Sequence, residues 1–547
     1  MFKYRVINHW DNMDGSVERG YAGNSLFFKN NKFDYDKTKI ESYAKLLGSI
    51  GINQISLNNV NVNSVSAKLI TEEFLPDLAK IAEIFRKYGI ALLIAIEFSA
   101  PKSLGGLPSC DPCDRAVADW WKAQTDIVYS YIPDLAGFLV KADSEFRDGP
   151  ASLGRSQADG ANVIAAALAP HGGILYWRCF VYNCRQDWRD TSTDRAKAAY
   201  NEFFPLDGKF AENVILQIKN GPLDFQVREP LSPLLGNMIN TREALELQIT
   251  QEYTGQQKDL FALAVQWEEY FNSPVSDTEI LADICGDDYI SSITAAPKSC
   301  RIEAICGVAN VGDDKFLCGN PLAEANLYAF GRFGQNPHDS AKAILSDWTK
   351  NYFGKDIPEI AEMLYKSKNI YEMYTSPLAL GWMVTPHYHY GPSPEGYEYD
   401  KWGTYHRANH THVGVDRTSC EKSGTSTGTG YTEQYHSYLA KLYNKPETTP
   451  EELLLFFHRL PYDYKLKSGQ TLLQYIYDTH FEGAEGVKWL IKTWQSVENK
   501  VPADVFEEVQ KRLSGQLENA KDWRDIINTY FYRFTGIPDE KGRLIYA

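Results

Sequence analysis

The sequence predicts an α/β fold: a (β/α)8 TIM barrel over residues 1–320, followed by a mainly α-helical C-terminal domain over residues 321–547. Three observations carry this expectation. Between Arg5 and Ala309, short apolar, β-branched runs alternate with amphipathic stretches, the pattern of repeated strand–helix units. The runner-up, an open doubly wound sheet, leads one to expect a glycine-rich phosphate loop after an early strand, and the sequence has none. From Pro321 onward the strand-like runs stop and helical patterns take over.

In chain order, the first strand is read at Arg5–Asn8 and is followed by a helix at Tyr35–Ile50. Strands at Gln54–Leu57, Ala91–Ile96 and Gly137–Val140 precede helices at Leu75–Tyr88, Ala116–Tyr129 and Ala161–Leu168. The fifth strand, Ile174–Tyr176, leads to a helix at Ser192–Glu202. The sixth and seventh, Val214–Ile218 and Leu245–Thr250, precede a helix at Thr254–Glu268, and Ile305–Ala309 is the eighth. The C-terminal helices are expected at Ala323–Arg332, Ala341–Thr349, Glu359–Glu372, Glu433–Leu442, Pro450–His458, Leu472–Tyr477, Ala484–Val497 and Val505–Tyr530. A loop-rich interruption, Thr385–Gly430, carries His, aromatic, Gly and Pro residues. Loops of that length usually serve a function or move.

A net charge of −15 argues against a nucleic acid partner, and an acidic ligand would need a local basic pocket. No apolar run is long enough for a membrane span, and no signal peptide precedes the first strand, so a cytoplasmic location is expected. Nine dispersed cysteines do not resemble a disulfide framework. Cys110 and Cys113 have metal-like spacing but no second such pair, and the cluster His387–His412, including His406 and His410 at helical spacing, could form a zinc site.

The chemistry concentrates at strand ends. Glu145 follows strand four, Asp224 strand six and Glu252 strand seven, at the carboxyl face where parallel barrels hold reactive groups. Hydrolysis of a glycosidic bond needs one carboxyl group to protonate the leaving oxygen and another to activate water or attack directly. Lys141, Arg178 and Lys219 sit on or at the ends of strands four, five and six. They either balance these acids or bind an anionic group, with Arg178 able to grip a carboxylate in bidentate fashion.

The segments Asn8–Tyr21, Lys141–Glu145, Ala158–Asn162, Pro170–Gly173, Lys219–Phe225 and Gln248–Tyr253 resemble glycoside hydrolase family 67, as do Tyr328–Arg332, His389–Pro392, Asp416–Thr418 and Glu451–Leu455 past the barrel. The resemblance implies an inverting α-glucuronidase that removes α-1,2-linked 4-O-methylglucuronic acid from the terminal xylose of glucuronoxylan-derived oligosaccharides (aldouronic acids). It places Glu145 as general acid and Asp224 and Glu252 as the pair activating water. Lys141, Arg178 and Lys219 would bind the uronate, and Trp10 and Val60 would wall the sugar pocket. It also implies that neither metal nor cofactor is needed, that the loop His387–His412 lies near the sugar pocket and serves substrate contact or loop packing before zinc, and that a homodimer can form through the C-terminal domain. Two rivals stand beside it: a retaining barrel glycosidase and an inactive sugar-binding homologue.

Overall fold

The computed structural model describes residues 1–145, 147–180, 194–286, 302–397, 408–420 and 428–545. Eight parallel strands close a barrel: β1 (Tyr4–Asn8), β2 (Gln54–Leu57), β3 (Ala91–Ile96), β4 (Gly137–Val140), β5 (Ile174–Arg178), β6 (Val214–Lys219), β7 (Arg242–Gln248) and β8 (Ile302–Val308). Each strand pairs with the next in sequence, and β8 returns to β1 from Tyr4↔Ala304 to Asn8↔Val308. Alternation divides the strand side chains. Val6, Leu93, Leu139, Tyr176, Ile215 and Ala304 fill the barrel interior, and the opposite faces join a larger core beneath the helices. A helical region follows, from Glu324–Gln335 to the long Ala503–Thr535. No described helix is long and apolar enough to cross a membrane.

Local chemistry sets the helix starts. Asp36 accepts from the amides of Thr38 and Lys39 ahead of Lys37–Ser49, and Asp114 does the same through Ala116 for Arg115–Tyr131. Ser156 and Asp159 form a reciprocal capping box for Gln157–Leu168.

Several boundaries differ from the sequence reading. β7 begins at Arg242 and β8 at Ile302, earlier than expected, because their polar starts are paired: Arg242 donates to Glu303 at 3.1 and 2.7 Å. The helix expected at Thr254–Glu268 is confined to Leu263–Phe271; Gly255, Gln256 and Gln257 all take positive φ and coil the segment before it. The helices read at Leu472–Tyr477 and Ala484–Val497 are one, Leu472–Gln495. Gly483 is not a break there but a close-packing point, since a Cβ would lie 2.8 Å from the Tyr374 backbone nitrogen. Glu433–Leu442 and Pro450–His458 resolve into shorter pieces, Ser437–Tyr443 and Leu454–Phe457, each preceded by a 3-10 turn. Of Ser192–Glu202, positions 192–193 lie outside the described residues, and a 3-10 turn at Arg195–Lys197 leads into Ala198–Phe203. His406 also lies outside them.

Candidate active site

All eight residues singled out from the sequence line one pocket at the carboxyl end of the barrel: Trp10, Val60, Lys141, Glu145, Arg178, Lys219, Asp224 and Glu252. Register explains part of this convergence. Lys219 at the end of β6 pairs with Glu246 of β7, and Arg178 at the end of β5 pairs with Gln217 of β6.

The turn after β4 carries Lys141 and Glu145, which form an ion pair with each other. Asp143 and Glu145 both take positive φ, 54° and 52°. Asp143 braces this turn by accepting from the Ala151 amide at 2.9 Å and from Gln157 at 2.8 Å, and Gln157 in turn accepts from the Trp177 indole at 2.9 Å. The first turn of helix Gln157–Leu168 thus braces the turn at Asp143, two residues before Glu145. Burial pushes that carboxyl up, but the adjacent Lys141 ammonium outweighs it and holds Glu145 below its ordinary value. Burial also pulls the Lys141 ammonium below the usual lysine range, with Glu145 opposing.

The other two acids are held in the same manner. Burial raises Asp224, yet the Lys219 ammonium, hydrogen-bonded to Oδ1, and Arg195, 3.4 Å from Oδ2, keep it well below the usual carboxylate range. The Tyr253 hydroxyl donates to Asp224 Oδ2 at 3.3 Å. Glu252 receives Arg19 Nε at 2.8 Å and Gln248 Nε2 at 2.9 Å, and His389 Nδ1 lies 2.8 Å from its Oε1. The His389 ring stacks on Tyr253 with centroids 4.4 Å apart. Asp224 and Glu252 are therefore both oriented from several sides.

Arg178 corrects one expectation. Its fork is already engaged, with Nε 3.0 Å and Nη2 2.5 Å from the two oxygens of buried Glu246, so the bidentate grip on an incoming carboxylate is taken by β7. What Arg178 offers the pocket is the rest of its guanidinium, laid 5.2 Å over the Trp10 ring. Phe180, two residues on, sits among the cations, its ring 3.4 Å from Lys219 Nζ, 5.0 Å from Lys141 Nζ and 5.5 Å from Arg178 Cζ. Its negative π face eases their mutual repulsion.

Sequence reasoning did not single out Phe180, Glu18, Arg19, Arg195 or Trp382, and it treated His389 only as one of a histidine cluster. That cluster divides: His387 and His389 line the pocket, while His410 bonds to the Phe534 carbonyl at 3.0 Å, on the last helix. Cys110 is buried and Cys113 exposed, and among the described residues no group of three or more His, Cys, Asp or Glu is placed to hold a metal.

A closed parallel barrel whose carboxyl-end pocket gathers acids, cations and aromatic walls has the layout in which parallel barrels place their ligand-binding and reactive groups. The chain belongs to glycoside hydrolase family 67: residues 1–316 match the glycosyl hydrolase family 67 middle domain and residues 318–544 the family 67 C-terminus. It is 43% identical over 544 residues to alpha-glucuronidase A of Aspergillus tubingensis and 41% identical over 550 residues to the probable alpha-glucuronidase A of Neosartorya fischeri. Each match covers 99% of this chain, and the chain spans 63% of the length of each relative. Among solved structures it is similar to an O-GlcNAc hydrolase mutant of Thermobaculum terrenum, with 12% identity and a TM-score of 0.42 over 97% of this chain and 84% of that one.

Proposed function

We propose that the chain acts as an inverting α-glucuronidase, releasing α-1,2-linked (4-O-methyl)glucuronic acid from the terminal xylose of xylo-oligosaccharides. The observation that carries this reading is the convergence of three carboxylates with Lys141, Arg178, Arg195 and Lys219 in one pocket, in a chain of this family. Cations there suit an acidic sugar, and two well-oriented carboxylates beside a third suit acid–base hydrolysis.

In this mechanism Glu145 protonates the glycosidic oxygen as the bond to xylose breaks. Asp224 and Glu252 position a water on the opposite face and take its proton as it adds to the anomeric carbon. The bracing of Glu252 by Arg19 and Gln248 and of Asp224 by Lys219 and Tyr253 holds the two bases still while charge moves. Lys141, Lys219 and the free edge of Arg178 receive the uronate, with Trp10 and Val60 against the sugar ring.

Proton NMR of a defined aldouronic acid during turnover tests substrate, linkage and stereochemistry together. Inversion delivers β-glucuronic acid first; α-product appearing first would establish retention, and no release at all would refute the enzyme reading. Glu145→Ala should abolish cleavage of the xylose-linked substrate yet spare aryl α-glucuronides with good leaving groups, which need little protonation. Equal loss on both would remove Glu145 from the acid's role.

A further inference from the structure

Asp224 sits in a segment that forms neither helix nor strand, residues 220–231, directly after β6. Regular backbone structure does not fix it there, yet a base has to be held in one place to take a proton from a positioned water. We propose that Glu229 is the positioning residue for Asp224: its buried carboxylate gathers the backbone amides of the Asp224 turn and so sets where the Asp224 carboxyl stands. This role rests on the α-glucuronidase reading and adds to it a residue outside the pocket lining.

The hydrogen bonds are direct. Glu229, 3% exposed, accepts from the Leu223 amide at 2.7 Å through Oε2, and from the amides of Asp224 at 2.9 Å and Gln226 at 2.7 Å through Oε1. Phe225, between the two residues whose amides share Oε1, takes a positive φ of 53°, a strained setting for a side chain of that size. Gly221 closes against the same side chain, since a Cβ there would stand 2.7 Å from the Glu229 Cβ. Burial leaves the Glu229 carboxyl above its ordinary value, with the three amides opposing and favouring the charged acceptor. The grip on the backbone matters because the grip on the side chain is shared: Lys219, which bonds Asp224, is also a cation assigned to the uronate. Glu229 holds the turn whether or not Lys219 has a second anion to serve.

Glu229 is held in turn by helices packed outside the barrel strands. Its neighbour Arg228 forks onto Glu372 of helix Pro358–Thr375, with Nε and Nη2 at 2.6 and 2.8 Å, and bonds Glu269 at 2.7 Å. Gln266 Nε2 donates to the Val227 carbonyl at 2.9 Å, and the Tyr435 hydroxyl donates to the Leu231 carbonyl at 2.7 Å. Residues 227–231 are thereby pinned on both sides of Glu229, and the carboxylate passes that fixed position to the Asp224 turn. One path from the helical region to the reacting groups runs through this side chain.

Steady-state rates of Glu229→Gln on an aldouronic trisaccharide, read beside a melting curve, test the role. The Gln oxygen can still accept from Asp224 and Gln226, but its NH2 then faces the Leu223 amide, so the turn shifts while the fold survives. A misplaced base costs rate and spares ground-state binding: kcat should fall about 10- to 100-fold, with KM changed by less than about threefold. Leu47→Ala is the comparison, a buried position near the end of helix Lys37–Ser49, at the opposite mouth of the barrel. It should lose thermal stability and keep its kcat. Unchanged kcat in Glu229→Gln, a rise in KM alone, or an equal loss of kcat in Leu47→Ala overturns the positioning role. Should Glu229→Gln not fold, Gly221→Ala displaces the same side chain from the other side, and the role falls unless kcat drops there with KM kept. If the wild type releases no glucuronic acid, it is the α-glucuronidase reading that fails.

Discussion

The loop carrying His389 offers a sharp test of how the pocket is held. His387 and His389 adopt positive φ, 62° and 59°, a conformation that costs a non-glycine residue about 1–2 kcal/mol. Roughly 2–4 kcal/mol of strain is therefore stored within three residues. It is opposed by Arg19 Nη1 on the His387 carbonyl at 3.2 Å, Gln256 on the Tyr388 carbonyl at 2.6 Å, and the Tyr390 hydroxyl on buried Asp259 at 2.9 Å. A hydrogen bond to a charged group contributes about 1.5–3 kcal/mol. Tyr390→Phe deletes one such anchor and leaves the ring. Taking about 2 kcal/mol for it, the loop's equilibrium shifts by roughly 30-fold toward relaxed conformers in which His389 leaves Glu252. Glu252 keeps Arg19 and Gln248, so activity should fall without vanishing, by about 10- to 30-fold in kcat, with little change in thermal stability. Initial rates on an aldouronic trisaccharide, beside a melting curve, decide the matter. Unchanged kcat with a lowered Tm would show that Tyr390 serves stability alone and that His389 does not depend on it.

Asp259 should mark the pH dependence of stability. Burial raises its carboxyl to about 6, against hydrogen bonds from Asn519, Tyr390 and Tyr374. A folded-state value above the unfolded one means stability is fully present below about pH 4 and is lost as pH rises toward 6 and beyond, by roughly 3 kcal/mol from this group. In Asp259→Asn, urea denaturation between pH 4 and 7 should therefore depend less on pH, though the variant is weaker throughout because its amide faces donors. Gly483→Ala and Gly515→Ala should have opposite signs. Nothing lies within 4 Å of a Cβ at Gly515, so alanine there gains about 1 kcal/mol of helix propensity, whereas at Gly483 the clash with Tyr374 costs about 1–3 kcal/mol and outweighs that gain. Equal shifts in the urea midpoint would refute the packing argument. Arg178→Ala should unfold more readily than it loses substrate, by about 3–5 kcal/mol, because it leaves Glu246 buried and unpaired.

The barrel was legible because its strands are buried on both faces and read as continuous apolar runs. Its edges were not, because Arg242, Glu243 and Arg178 look like loop residues until a partner across the sheet accounts for them. The helix predicted over Thr254–Glu268 failed where Gln256 and Gln257 take left-handed φ, a choice imposed by contacts of that segment and not by propensity. In the site, residues at strand ends were found because position alone marks them. Arg195, from a turn after β5, and His389, from beyond the barrel, reach the same pocket through tertiary contacts that no local spacing records. Phe180 carried a weak signal, lying two residues past Arg178 on the extension of β5.

Because the pocket's charges stand in close pairs, the site projects dipoles outward and little net positive potential. Fields of that kind fade within a Debye length of about 8–10 Å, and the chain as a whole carries −15. An acidic oligosaccharide therefore approaches against a mild repulsion, and its capture rate should rise with added salt, the reverse of a site that funnels anions from a distance. On the proposed function, any preference for a uronic acid has to be exercised after arrival, by contacts inside the pocket.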